Sequence, residues 1–440
     1  MKPKGLLVSV VLLAVLAGLI VWSNKKQAAS ASKSPTDTTT KLLTIPDDQF
    51  QEIRIKKLTD EVQDLKREDG KWRIVQPKEL RADQDAVSSI VSNLSSLTAD
   101  KTIDDNATDL QPYGLHIPTL DITITKKDGK TAELLVGDNT PTSSGAYAKL
   151  PGSNKIYTIA SYVKTSLDKT INDLRDKRLL TFDSDKLTRV QLAAKGPAVE
   201  FGKNAKSEWQ ILKPRALRAD SSAVETLIGK LRDAKMDTTI SDEDAKKAAA
   251  AFASGTKVAV ATVSDSSGDQ SLEVRKDKDK NYYAKSSVVE GVFKVTSDIG
   301  DGLDKGLDDF RNKKLFDFGF SDPGKIELKT ATYTKSGDKW MAGAKTMDNS
   351  TVQNLIDKLR DAAATKFPDQ GAGDPVFEAT VTSDSGKRVE KVTIRKQGTQ
   401  YFAQRENEPS IYELDAKAVE DLQKAAADIK EAAPEPVKKK

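Results

Sequence analysis

The sequence predicts an α+β protein: an N-terminal single transmembrane helix followed by three tandem repeats of a mainly antiparallel sheet with packed helices. Three observations predict it. An uncharged run begins at Gly5, a tryptophan-centred strand pattern recurs at a fixed offset, and within each copy short alternating segments separated by turn signals surround helix-periodic stretches. A chain of 440 residues is too long for one ordinary core and divides naturally into several.

The first expected element is the run Gly5 to Trp22, GLLVSVVLLAVLAGLIVW, flanked by Lys2, Lys4, Lys25 and Lys26. At 1.5 Å per residue it would reach roughly 27 Å, close to the thickness of a hydrocarbon core. Gly5, Leu6, Leu12, Leu16 and Ile20 are the anchor residues, with Trp22 placed as an interfacial aromatic. The competing reading is a cleaved signal peptide ending at Ala29-Ser30-Ala31. Either one exports the body of the chain. Residues 1–4 are expected in the cytoplasm, and the rest beyond the cell inner membrane. The stretch 30–41, SASKSPTDTTTK, lacks bulky apolar residues and reads as a tether.

The repeats follow. Trp72-Arg73-Ile74-Val75-Gln76-Pro77, then Leu80-Arg81-Ala82-Asp83, returns as Trp209-Gln210-Ile211-Leu212-Lys213-Pro214, then Leu217-Arg218-Ala219-Asp220, a shift of 137 residues. Downstream, Tyr147-Ala148-Lys149 matches Tyr283-Ala284-Lys285, and DLRDKRLL from Asp173 matches DFRNKKLF from Asp309. A shorter third copy carries Trp340, Met347-Asp348, Val352, Leu355, Leu359 and Phe402-Ala403-Gln404. Repeats of this length are whole domains rather than solenoid units. The expected division is 5–22 anchor, 23–45 linker, repeats over 46–185, 186–324 and 325–431, and a polar tail over 432–440.

Within the first copy, alternation marks strands at 51–57 and 71–76. Asp83 is placed to cap a helix whose apolar face holds Ala86, Val87, Ile90, Val91 and Leu94. Strands at 120–125 and 132–136 flank the turn signal Asp128-Gly129. Two more strands, 145–149 and 155–159, precede a helix from Ser161 to about Leu174. The expected order is β-β-α-β-β-β-β-α, with the helices on one side of the sheet. Trp72, Trp209 and Trp340 sit mid-strand and read as core.

The chemistry of the chain is narrow. The 70 basic and 66 acidic residues are interspersed, with a net charge of +4, so no nucleic-acid footprint is seen. Cysteine is absent, and His116 is the one histidine, which removes thiolate nucleophiles and paired His or Cys metal sites. Gly300-Asp301-Gly302 misses the spacing of a phosphate loop, and Asp277, Asp279 and Asn281 imitate a calcium loop that has Tyr282 where glycine is required. No catalytic residue, cofactor or metal is expected. The basic segments have two readings: the last turn of a helix, where cations meet the negative dipole end, or equivalent interdomain or partner-docking corners formed by Arg175, Lys177, Arg178, Arg311, Lys313 and Lys314.

The Trp-x-Ile-x-x-Pro strand with its following Ala-Asp-x-x-Ala-Val, the Tyr113-Gly114-Leu115-x-x-Pro118 turn, Gly137-Asp138 and DLRDKRLL together resemble bacterial DUF4340 proteins, a domain of unknown function. The resemblance implies an envelope accessory role beside gliding-type ABC transporters, with permease or ATPase subunits as partners alongside the lipid bilayer. The expected function is accordingly a non-enzymatic accessory or scaffold protein of the cell envelope. The alternative is an extracytoplasmic binding module for a polysaccharide or peptide, which would need an aromatic groove repeated at Tyr147 and Tyr283.

Overall fold

A computed structural model of the chain describes residues 40–237 and 242–433. The expected anchor, with Gly5, Leu6, Leu12, Leu16, Ile20 and Trp22, lies outside the described residues, as do most of the linker and residues 434–440 of the tail. The expected fold class is corrected here. Among the described residues no helix is long and apolar enough to cross a membrane. The two helices of 13 residues reach only about 20 Å, against roughly 30 Å of hydrocarbon, and both carry charged side chains. The architecture of the described residues is three antiparallel sheets with helices, and none of those helices spans a membrane.

The first repeat opens with β1 (Phe50–Lys57), β2 (Val62–Glu68), β3 (Lys71–Gln76) and β4 (Leu80–Arg81), followed by helix α1 (Gln84–Ser95). After β5 (Lys101–Asp104) come β6 (Leu120–Lys126), β7 (Thr131–Asn139), β8 (Gly145–Lys149) and β9 (Ile156–Ala160), then α2 (Ser161–Leu167) and α3 (Ile171–Leu174). The sheet runs β4-β3-β2-β1-β6-β7-β8-β9-β5. It consists of two four-stranded meanders, each followed by a helix, joined back to back through the antiparallel pair β1 and β6. Strand β5 pairs with β9 and covers that edge.

Burial explains the layering. Ile53 and Ile55 of β1, Leu120, Ile122 and Ile124 of β6, and Leu134 and Val136 of β7 point inward. They meet Val87, Ile90, Val91 and Leu94 of α1 and Val163 and Leu167 of α2 in one core. Arg54 and Lys56 face solvent on the opposite side of the sheet. Asp83 caps α1, its Oδ1 accepting from the amides of Asp85 and Ala86 at 3.0 and 3.1 Å.

The observed order adds strands β2, β4 and β5 to the expected one. Strand β2 lacks a clear alternation because one inward position, opposite Ile55, is Gln63. That side chain is buried, and its Nε2 donates to the carbonyl of Lys169 at 2.9 Å, so a polar residue fills an apolar slot. The expected final helix breaks in two after Leu167. Thr170 and Asp173 form a capping box that restarts it as α3.

The second repeat has the same plan: β10 (Arg189–Ala193), β11 (Val199–Lys203), β12 (Trp209–Lys213), β13 (Leu217–Arg218) and α4 (Ser221–Arg232). Helix α5 (Asp242–Ser254) then precedes β14 (Thr256–Asp265), β15 (Gly268–Lys276), β16 (Tyr282–Ser286), β17 (Val292–Val295) and α6 (Ser297–Leu303). The third comprises β18 (Lys325–Leu328), β19 (Thr332–Ser336), β20 (Lys339–Ala342), β21 (Lys345–Thr346) and α7 (Asn349–Asp361), then β22 (Asp374–Ser383), β23 (Arg388–Gln397), β24 (Gln400–Arg405), β25 (Ile411–Leu414) and α8 (Ala416–Ala427). Both sheets are eight-stranded with β10 beside β14 and β18 beside β22 at the centre. Asp220, Asp348 and Asp415 cap α4, α7 and α8. Trp72, Trp209 and Trp340 are buried in the three cores.

The chain enters and leaves each repeat in the same way. It arrives beside the C-terminal end of the first helix: Leu42 donates its amide to Leu97, Leu179 to Ala234 and Leu315 to Ala362. It departs beside the N-terminal end of that helix, where Asp83 donates to Leu174, Asp220 to Phe310 and Asp348 to Lys430. Lys41-Leu42-Leu43, Arg178-Leu179-Leu180 and Lys314-Leu315-Phe316 are therefore equivalent arrivals. The chain divides into two compact units, residues 1–177 and 178–440. Repeat one belongs to the first unit, and repeats two and three share the second.

Candidate functional site

Among the described residues no group of three or more acidic or histidine side chains could hold a metal ion. In the second unit, charged side chains join repeat two to repeat three, and the connector DFRNKKLF lies at that meeting. Phe310 packs edge-on against Phe201 at 4.9 Å within the core of repeat two. The next residue, Arg311, bridges to Ala219 through its backbone. Asn312 donates to Arg218, whereas the carbonyl of Lys313 accepts from Ala364. The backbone thus passes from repeat two to repeat three between Asn312 and Lys313.

Three arginines cross this seam. Arg311, only 4% exposed, lays its guanidinium 3.6 Å from the centre of the Phe367 ring and donates to Ser410 Oγ at 3.1 Å. Burial pushes its pKa down, although Asp308 counters that shift. Arg218, at the end of β13, lies 2.8 Å from Glu408 and donates to the Tyr412 hydroxyl at 3.1 Å. That hydroxyl donates to Glu408 at 2.7 Å, and burial raises the tyrosine pKa. In the opposite direction Arg388 of β23 reaches Glu208 at 3.0 Å. The Glu208 carboxyl is held below its usual range, first by the Asn204 amide, with Arg388 adding to the effect. Behind the seam, Arg405 pairs with Glu408 at 2.8 Å and with Glu390 at 3.0 Å. Burial opposes the charge on Arg405, but the two carboxylates outweigh it and the net shift is upward. Glu390 also accepts the Asp317 amide at 2.9 Å.

In the first unit, the turn at Tyr113-Gly114-Leu115 folds over the sheet on the side away from the helices. Leu115 and Ile156 form a small separate cluster with Ala107, and Tyr113 meets Tyr147 edge-on at 5.1 Å. Gly114 takes a left-handed φ of 62°. A β-carbon on Gly137 would fall 2.1 Å from the Tyr113 carbonyl oxygen. This close approach is why the Tyr113 turn requires glycine at position 137. Gly137→Ala is expected to lower the stability of the first unit by about 1–3 kcal/mol through overpacking, measured by urea unfolding; an unchanged midpoint would mean that the turn yields freely.

The family model described as Domain of unknown function (DUF4340) matches residues 72–210 and again 209–378. The chain belongs to the DUF4340 family. The two DUF4340 matches begin at the equivalent tryptophans Trp72 and Trp209, so each starts at the third strand of a structural repeat and runs into the next. No match was found among curated proteins or among solved structures.

The six basic residues proposed for docking fall in different surroundings in this DUF4340 chain. Arg311 is buried in the seam. Arg175 is half-buried, its backbone bridged to Ala82, and burial pushes its pKa down with Arg81 adding to the effect. Lys177 is half-buried, while Arg178, Lys313 and Lys314 are exposed, the last donating through Nζ to the Arg360 carbonyl at 3.0 Å. The connector is not the last turn of a helix: Arg175 is already extended, at φ −79° and ψ 142°. Sequence reasoning missed the roles of Arg218, Arg388, Arg405, Glu208, Glu390, Glu408 and Tyr412. Only Arg218 carried a signal, through its place in the recurring Leu-Arg-Ala-Asp.

His116 is exposed. Asp277 closes a turn, its Oδ1 accepting from the amides of Asp279 and Asn281 at 2.9 and 2.8 Å. Gly300 lies against the Tyr282 ring. Tyr147 is covered by the Tyr113 turn, and Tyr283 is half-buried.

Proposed function

We propose that this DUF4340 chain is a non-enzymatic accessory or scaffold protein of the bacterial cell envelope, whose tandem domains hold protein partners of an ABC-type transport complex. One observation carries this reading: the interacting charges of the seam are engaged in joining one domain to the next. Arg218, Arg311 and Arg388 each meet a group in the neighbouring repeat. A catalytic site would need titratable groups converging on a cleft. Domains repeated along one chain suit multivalent contact, in which a second weak engagement gains from the first. The envelope setting and the transport partner come from the family resemblance in the sequence.

The test is mild crosslinking of the full-length protein in intact cells, followed by mass spectrometry of the co-purified material. Enrichment of permease or ATPase subunits, crosslinked to lysines of the repeats, is the expected result. Retention of polysaccharide or short peptide alone would replace the scaffold reading with that of a ligand-binding module.

A further inference from the structure

The cores of repeats two and three share no residue. The first runs from Leu179 to Phe310 and the second from Leu315 to Ala425. Between them lie the single connector and the charged seam, whose ring contacts are Arg311 on Phe367 and Arg218 at 5.9 Å from the centre of the Tyr412 ring. Contacts of this kind, without a common apolar core, resemble reversible interdomain surfaces more than the inside of a domain.

We propose that the seam is an ionic catch: repeats two and three are held together at low ionic strength and swing apart about Asn312–Lys313 as salt rises, while both stay folded. The pairs are reachable by solvent. Side-chain exposure is 16% and 21% for Arg218 and Glu408, and 28% and 42% for Arg388 and Glu208. Ions therefore enter the seam, and the screening length falls from about 10 Å at 0.1 M to about 3 Å at 1 M salt. Along the connector the backbone-to-backbone bonds to repeat two end at Asn312 and those to repeat three begin at Lys313, and the side-chain bonds that span this point, Arg218 to the Lys314 carbonyl and Arg311 to Ser410, belong to the catch itself. Repeat three lacks the arginines of the catch: at the positions equivalent to Arg218 and Arg311, which repeat one fills with Arg81 and Arg175, it has Thr346 and Glu431, and Glu431 pairs instead with Lys345 of its own repeat.

The natural sequence lacks cysteine, so the full chain can be labelled cleanly at two exposed positions, Lys278→Cys in repeat two and Lys424→Cys in repeat three. Distances between the labels are then read by pulsed electron resonance or single-molecule energy transfer. One narrow distribution is expected at about 0.1 M salt, broadening about twofold at about 1 M as screening takes hold. The Arg218→Gln/Arg311→Gln chain should already be broad at low salt, with unchanged far-ultraviolet circular dichroism. A narrow distribution that survives both high salt and the double substitution would overturn the catch. Broadening accompanied by lost secondary structure would overturn it equally, since that is unfolding rather than opening.

Discussion

Exchange of Glu390 for alanine is expected to lower the stability of repeat three by about 3–5 kcal/mol, the usual result of removing one partner from a buried ion pair. Glu390 is 5% exposed and accepts both the Arg405 guanidinium and the Asp317 amide. The substitution strips a counter-charge from Arg405 and leaves the Asp317 amide without its carboxylate, so two half-buried groups lose a partner at once. Arg405 keeps Glu408 and the Leu315 carbonyl, which places the loss toward the lower end of that range. Urea unfolding followed through Trp340 fluorescence in a chain with Trp22, Trp72 and Trp209 replaced by phenylalanine reads it directly. A change below about 1 kcal/mol would show that water satisfies the site as well as the protein does.

Phe201→Ala should cost repeat two about 3–5 kcal/mol, as large-to-small changes at a buried aromatic do. Phe201 is fully buried on β11 and meets Phe310 edge-on. Phe310 in turn offers its carbonyl to the Asp220 amide at the head of α4. The cavity therefore opens beneath the residue that positions Arg311. The variant should lose stability by calorimetry and also show faster proteolysis within 309–316, in comparison with an equally destabilised variant such as Leu272→Ala on β15. Equal proteolysis in both would separate the core of repeat two from the connector.

What could be read from the sequence was whatever repeats locally. The helix beginning after Asp83 announced itself through Val87, Ile90 and Leu94, and the hairpin around Asp128-Gly129 through period-two alternation. The tryptophan strands stood out because they recur. Strand β2 stayed hidden because Gln63 occupies an inward position, and the break before α3 because Thr170 and Asp173 satisfy each other without any proline or glycine. Of the seam, Arg311 stood out in the basic connector and Arg218 in the recurring Leu-Arg-Ala-Asp, but their partners could not be read. Arg218 and Glu408 are far apart in sequence and are brought together only by the docking of two domains. Their chemistry is that of ordinary surface charge until that docking removes most of the water.

Each repeat receives the chain at the C-terminal end of its first helix and releases it at the N-terminal end. The two attachment points are thus one helix apart, about 18 Å for the 12 residues of α1. Hereditary change can act on such a unit as a whole. A duplicated or deleted gene segment that begins and ends at these points leaves every remaining sheet intact, because no strand borrows a neighbour from another repeat. The number of copies can therefore change between lineages while the fold of each copy remains under separate selection.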